Sequence, residues 1–443
     1  MTSYLFRNGG TLFKAFAQAF RTPDLRRKLL FTIGIIVIYR LGTFIPAPFV
    51  SMSNIRQCTT EMNGTADLVA LMNMFSGGAM MNLSIFALGI MPYITASIII
   101  QLLRVVIPRF EELHKEGQSG TAKLTEYTRY LTIGLGVLQS AVVVATANYT
   151  LFRGCDVNPI PSASPWTYFL TILAMTAGTG LIMWLAELIT DRGVGNGMSI
   201  LIFVGICANF PHMLANVLTS KGWGAVFFVV VLFLAITLVV TFVEESQRRV
   251  PVQYAKRVIG RRTYGGSTTY LPIKVNMANV IPVIFSSSIL IIPSMIATFG
   301  SATDGWVVWI QTYLGNSSPW YIALYAVLTF AFTFFYTDIA FDTEEVADNM
   351  KRYGGFIPGV RAGKPTAQYL AKVSNRLTWV GATYLTIVAL IPTIVFNVMG
   401  ILQGGFGGTS IMILVGVGLQ TVKDINAQLQ QRHYEGFLRG SIH

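Results

Sequence analysis

Charge is scarce in this chain. Asp, Glu, Lys and Arg make up only 12% of its 443 residues, where soluble domains carry roughly 25%. Acidic residues are the scarcer kind, 20 against 32 Lys and Arg. Cysteine is rarer still: Cys58, Cys155 and Cys207 form neither a CxxC pair nor a Cys/His cluster. That spacing offers no disulfide framework and no metal-ligand set. The four histidines, His114, His212, His433 and His443, are scattered, and no nucleophile–base pair points to an enzyme. The GNG at 195–197 is not a phosphate-binding GxxxxGK[ST] loop, and a TVGYG-type ion filter is absent. The chain is therefore not expected to be an enzyme or to carry a cofactor.

Apolar sequence is abundant instead. Hydrophobic residues make up 53% of the chain, the mean hydropathy is +0.57, and a spanning helix needs about 20 mostly apolar residues. Ten segments meet or approach that length, at about 29–45, 82–103, 128–147, 166–188, 196–214, 222–243, 277–299, 319–341, 377–398 and 408–424. The reading is an all-α, multi-pass membrane protein. Residues 1–28 do not read as a cleaved signal peptide, because basic residues run up to the first span with no small-residue site after it. They read as a short amphipathic arm carrying Leu12, Phe13, Phe16 and Phe20.

Positive charge is confined to alternate gaps. Arg7, Lys14, Arg21, Arg26, Arg27 and Lys28 precede the first segment, and Arg104, Arg109, Lys115, Lys123 and Arg129 surround the gap between the second and third. Basic residues also crowd 244–274 and 342–376, whereas the intervening gaps hold only Arg56, Arg153 and Lys221. Cytoplasmic loops carry the Lys/Arg excess, so both termini are expected inside, in agreement with Lys423, Arg432 and Arg439. The division expected is a cytoplasmic arm (1–28), an N-terminal half of five spans (29–214), a C-terminal half of five spans (215–424) and a cytoplasmic tail (425–443). Five is odd, so the second half enters from the opposite face. That makes an inverted repeat, a design shared by many transport proteins. The net charge of +12 suits anionic lipids, RNA or an acidic protein surface.

No span centre holds Asp, Glu, Lys, Arg or His; Arg40, Glu187 and Asp338 sit near span ends, where side chains are expected to reach the headgroups. A substrate is not held by fixed buried charge. Mild polarity is present: Thr95, Ser97 and Gln101 in the second span, Asn276 at the edge of the seventh, and Ser286, Ser287 and Ser288 within it. These residues suit either ordinary helix packing or a weak, separable helix interface. Pro92 and Pro282 are expected to kink their spans. Residues 65–78 (TADLVALMNMFSGG) are too short to span, and either lie on the external surface or re-enter a protein-lined cavity.

Longer motifs are more specific. FSGGAMMNLSIFALGIMPYITASIIIQ (75–101), ITDRGVGNGMSI (189–200), RRVPVQYAKR (248–257), LPIKVNMANVIPVIF (271–285), ADNMKRYGGFIPGVRAGKPT (347–366) and FGGTSIMILVGV (406–417) occur in the order and span context of the SecY family. The chain closely resembles that family of bacterial protein-conducting channels from about residue 24 to about 435. The resemblance implies ten helices in two inverted halves around an hourglass pore. It implies a constriction of Ile90, Ile94, Met198, Ile202, Ile284 and Ile413, with Met198 standing where isoleucine is usual. Residues 65–78 become a re-entrant plug helix, with Leu68, Leu71, Met72 and Phe75 facing the collar and Gly77–Gly78 as its hinge. Spans two and seven, with three and eight, become a lateral gate whose closed state Thr95, Gln101, Asn276, Ser286 and Ser287 would bias.

The same resemblance makes 244–274 and 342–376 docking loops for ribosomes or the motor ATPase SecA, with Arg261, Arg262 and Arg361 at the basic positions. It implies the small subunits SecE and SecG as partners, signal sequences and unfolded polypeptides as cargo, and the bacterial plasma membrane as location. Two departures stand out: Pro-Ala-Pro-Phe at 46–49 where the family often has Pro-x-Pro-Gly, and Ala362 where proline commonly follows the tip arginine. The alternative class is an inverted-repeat solute transporter, which a buried charge pair in a span centre would favour.

Overall fold

The structure is a computed structural model; it describes residues 22–61, 76–147, 159–161, 164–254, 257–259, 262–264, 268–297, 305–315, 318–399 and 408–440. Each of the ten expected segments holds a helix. In chain order the helices are α1 (Pro23–Gly42), α2 (Met52–Glu61), α3 (Met91–Val106), α4 (Pro108–Lys115), α5 (Gln118–Thr146), α6 (Pro165–Arg192), α7 (Gly197–Lys221) and α8 (Trp223–Glu245). After a β-ribbon come α9 (Ile281–Ala297), α10 (Gly305–Tyr313), α11 (Pro319–Ala340), α12 (Thr343–Arg352), α13 (Lys364–Met399) and α14 (Gly408–Gly440). Among the described residues, six helical stretches are long and apolar enough to cross a membrane, or seven if the bent pair α3–α4 counts as one span.

Proline punctuates these helices. α3 and α4 meet at a 101° bend at Ile107–Pro108, where the ring removes a backbone N–H and displaces the preceding residue from helical geometry. Pro92 and Pro282 do not kink their spans, contrary to expectation. Each occupies the first turn of a helix, where its missing N–H has no intrahelical partner to lose. The second span is accordingly helical only from Met91, and residues 76–90 run in turns, with Leu83 and Gly89 at positive φ. α3 and α9 begin alike: Tyr93 and Ile94 donate to the Ile90 carbonyl, and Val283 and Ile284 donate to the Val280 carbonyl.

Small and hydroxylated residues set the helix seams. α11 buries Tyr321, Tyr325, Thr329, Thr333 and Thr337, an i,i+4 stripe on one face. Thr333 and Thr337 donate to the carbonyls four residues back, which satisfies the hydroxyls inside apolar surroundings. α5 and α6 are joined by Ser140–Thr176 at 3.1 Å and by a two-pronged pair, Arg129 Nε and Nη2 to Glu187 Oε1 and Oε2, both at 2.9 Å. Glu187 thus engages a neighbouring helix rather than a headgroup.

The chain is not wholly helical. Residues 244–274 were expected as a basic loop, and they form β1 (Gln247–Tyr254), β2 (Arg257–Ile259), β3 (Arg262–Tyr264) and β4 (Thr268–Lys274). β1 and β4 pair antiparallel from Gln247 opposite Lys274 to Gln253 opposite Thr268. Their Val, Thr and Tyr content suits a pleated, half-buried surface, and Val250 and Val252 alternate inward. The 342–376 loop holds α12, a two-residue strand β5 (Gly355–Phe356) and the start of α13. β5 adds to β1, giving the strand order β4-β1-β5. Val250, Ile273, Ile357 and Leu370 form an apolar core beneath this sheet, so the two loops are one module. At the other end of the chain α14 runs unbroken through 424, and its Ile425 packs with Leu25, Leu29 and Val194.

Candidate functional site

The largest apolar cluster draws residues from α1, α3, α6, α7, α8, α9, α11, α13 and α14. It therefore joins the two halves of the chain. Within it lie Ile90, Ile94, Ile202 and Ile413, which are 1%, 9%, 5% and 1% exposed. Met198 and Ile284 pack against the same cluster as partly buried side chains. Local sequence places them. Ile90 and Val280 stand just before the prolines that start α3 and α9, so Ile94 and Ile284 fall one turn inside. Met198 lies in the first turn of α7, which Asn196 caps by accepting from Met198 N and Ser199 N. A Cβ on Gly197 would strike the Ala186 carbonyl, so glycine lets the start of α7 press onto α6.

The segment 76–78 lies against this cluster. Gly77 and Gly78 have φ of 69° and 92°, a left-handed backbone that glycine adopts without strain. Arg40 Nη1 donates to the Gly77 carbonyl at 2.8 Å, and its guanidinium lies 5.6 Å from the Phe44 ring centroid. Arg40 was expected to reach headgroups; it reaches the backbone of another segment instead. Leu68, Leu71, Met72 and Phe75 lie outside the described residues.

Among the described residues, the polar side chains of α3 and α9 do not bond across to each other. Thr95 Oγ1 donates to Met91 O at 3.0 Å and Gln101 Nε2 to Ser97 Oγ at 3.5 Å. Ser286 Oγ donates to Pro282 O and Ser287 Oγ to Ile284 O, both at 2.8 Å. Short polar side chains in a helix meet their own carbonyls three or four residues back before they meet a neighbour. Asn276 is different. Its Nδ2 donates to Glu244 Oε1 at 2.6 Å and to the Asn279 carbonyl at 3.1 Å, tying the entrance of α9 to the end of α8. Glu244 is buried, and nothing in its sequence context marks it, since Glu245 beside it is exposed.

Of the three basic positions, Arg261 lies outside the described residues, and Arg262 is placed on β3 with Ile259 as its backbone partner. Arg361 is exposed in the tight turn between β5 and α13, with Gly359 and Gly363 at φ of 83° and 98°. Thr366 Oγ1 donates to the Arg361 carbonyl at 2.8 Å and fixes the tip from behind.

Comparison with known proteins gives this arrangement its context. The SecY family model matches residues 84–422. The chain belongs to the SecY family. It is 57% identical over 434 residues to the protein translocase subunit SecY of Streptomyces scabiei, covering 96% of this chain and 99% of that one. The SecY subunit of Micrococcus luteus is 52% identical over 436 residues, covering 97% of this chain and 100% of that one. Among solved structures, one described as a protein conducting channel superposes with a TM-score of 0.62 at 18% identity, over 90% of this chain and 91% of that one. Sec61 in a canine ribosome-channel complex gives a TM-score of 0.57 at 16% identity, over 90% of this chain and 91% of that one. At those identities the structural matches establish a shared fold.

Proposed function

We infer that this chain is the pore subunit of a protein-conducting channel, a passive conduit for unfolded polypeptides rather than an enzyme. The observation that carries this is the identity of more than half of its residues to translocase subunits along nearly their whole length. The finer reading has ten spans in two inverted five-helix halves, with both termini cytoplasmic in the bacterial plasma membrane. The near-identical starts of α3 and α9 support equivalent positions in the two halves. Signal sequences part α3 and α5 from α9 and α11 and pass laterally into lipid.

The six collar residues act together because an apolar constriction binds no passing chain through fixed charge and resists wetting by water and ions. Ile90, Ile94, Ile202 and Ile413 lie in one apolar cluster drawn from both halves, and Met198 and Ile284 pack against it, which supports that role. Residues 65–78 close the pore from the external side. The polar gate residues do not lock the seam, since Thr95, Gln101, Ser286 and Ser287 use their hydrogen bonds within their own helices. Asn276 instead holds the entrance of α9 through Glu244.

Energy comes from outside the pore. The sheet that unites the two basic loops offers a ribosome or SecA one rigid surface, with Arg361 at its tip. SecE and SecG are the expected membrane partners, and anionic lipids suit the positive cytoplasmic face. The transporter alternative has no observation in its favour. The deciding experiment crosslinks a stalled translocating chain to cysteines placed one at a time at Ile90, Met198 and Ile413. Adducts at all three depths support the channel; their absence, with saturable small-solute uptake by the reconstituted chain, overturns it.

A further inference from the structure

We propose that Arg40 is the latch that holds the plug hinge in its closed position. The inference rests on the reading of 65–78 as a plug and adds a residue on another helix that controls it. Three observations converge on the hinge. Arg40 Nη1 donates to the Gly77 carbonyl at 2.8 Å across 37 positions of sequence. The guanidinium is backed by Phe44, at 5.6 Å from its ring centroid. Gly77 is wedged: a Cβ there would lie 2.9 Å from Arg40 Nη1 and 3.2 Å from Gly205 Cα. The hinge is thus clamped between α1 and α7 by groups that do not belong to the plug.

Arginine suits this task. Among the described residues no carboxylate pairs with Arg40, so its directed contact is the hinge carbonyl. Gly77 and Gly78, at positive φ, lie outside any helix or strand, and their carbonyls depend on outside donors. A bond from a charged donor is stronger than one between neutral groups, and the ring face behind it adds cation–π support. A withdrawal of the plug that swings Gly77 off α1 has to break this bond. Arg40 therefore weights the balance toward closure without touching the translocating chain.

The test uses the full-length chain, purified with the subunits that accompany it and reconstituted into phosphatidylethanolamine–phosphatidylglycerol vesicles. Resting chloride leak is read with no polypeptide in transit. Deletion of 65–75 sets the leak of an unplugged pore. Arg40→Met is expected to raise the leak about tenfold toward that level, the equilibrium factor of one hydrogen bond to a charged group. Arg40→Lys, which keeps a charged donor, is expected to stay near the parent. Should Arg40→Met fail to accumulate, Phe44→Leu decides, because Phe44 is 60% exposed and its loss leaves the core intact; a leak above the parent supports the latch and a tight channel overturns it. A leaking deletion with a tight Arg40→Met channel removes Arg40 from the mechanism and spares the plug. A tight deletion overturns the plug reading, and the latch with it.

Discussion

Gln253 and Phe356 stand opposite each other across an antiparallel strand pair, although they lie in two different loops separated by α9, α10, α11 and α12. Through this pairing the ribbon after α8 and the segment after α12 become one body, with Val250, Ile273, Ile357 and Leu370 as its interior. A partner that pushes on one loop therefore pushes on the other. Lys274, the last residue of β4, leads into Asn276, whose bond to Glu244 ties the entrance of α9 to the end of α8.

Leu370 tests the integrity of this module. It is 0% exposed, and truncating a buried Leu to Ala costs about 2–5 kcal/mol. We expect Leu370→Ala to loosen the sheet, so that limited trypsin digestion cuts the basic stretches at 248–262 and 351–364 faster. The membrane helices should resist as before. An unchanged digestion pattern would mean that the two loops are held independently.

Arg361 tests what the module grips. Its side chain is exposed, so Arg361→Glu should leave stability untouched and act only on binding. Motor-driven export is expected to fail while membrane insertion of the chain itself remains normal. If the partner surface is RNA, neutralising one phosphate contact lowers the slope of log affinity against log salt by about one unit. Normal export by Arg361→Glu channels would remove this residue from the docking surface.

How much of this was legible in the sequence depends on the range of the interaction. The apolar segments were readable because a helix in lipid must satisfy its backbone internally and leaves a run of about 20 apolar residues. The start of the second span was misplaced by about nine residues, since apolar character continues through 82–90 while Gly89 and Leu83 adopt positive φ. The sheet was missed for another reason. QRRVPVQY and TTYLPIK alternate over few residues, and their charge is equally that of a loop. No local pattern reports that β5, two residues long, pairs with β1. Arg40 and Glu187 were noticed as charges near span ends, but their partners, Gly77 and Arg129, lie 37 and 58 positions away.

The family resemblance makes Asn276 and Gln101 equivalent gate residues, and their hydrogen bonds differ. Gln101 has one long bond inside its own helix, at 3.5 Å, so Gln101→Leu should change little. Asn276→Leu strips a buried carboxylate of its donor. An unsatisfied buried polar group costs about 1–3 kcal/mol, more when it is charged. We expect a lower thermal midpoint in detergent for Asn276→Leu and substantial recovery in the Glu244→Gln/Asn276→Leu double variant, where no charge is left unpaired. Equal effects of Gln101→Leu and Asn276→Leu, without recovery, would refute the role assigned to Glu244.

The proposed collar makes the sharpest demand, because that role depends on shape and apolarity together. Ile413 is 1% exposed and Ile94 9%, so both are packed by protein rather than by lipid. Ile94→Ser removes volume and places a hydroxyl where water has no other partner; Ile94→Leu keeps both volume and apolarity, a swap that usually costs less than about 1.5 kcal/mol. On the proposed reading, a polypeptide stalled in the pore displaces the plug and leaves only the collar to resist ions. Ile94→Ser and Ile413→Ser channels are therefore expected to conduct small ions severalfold more than the parent in that state, and Ile94→Leu channels no more than the parent. The resting leak should change far less, since the plug still closes the pore. A serine variant that seals around the stalled chain as well as the parent does would show that the constriction lies elsewhere along the path.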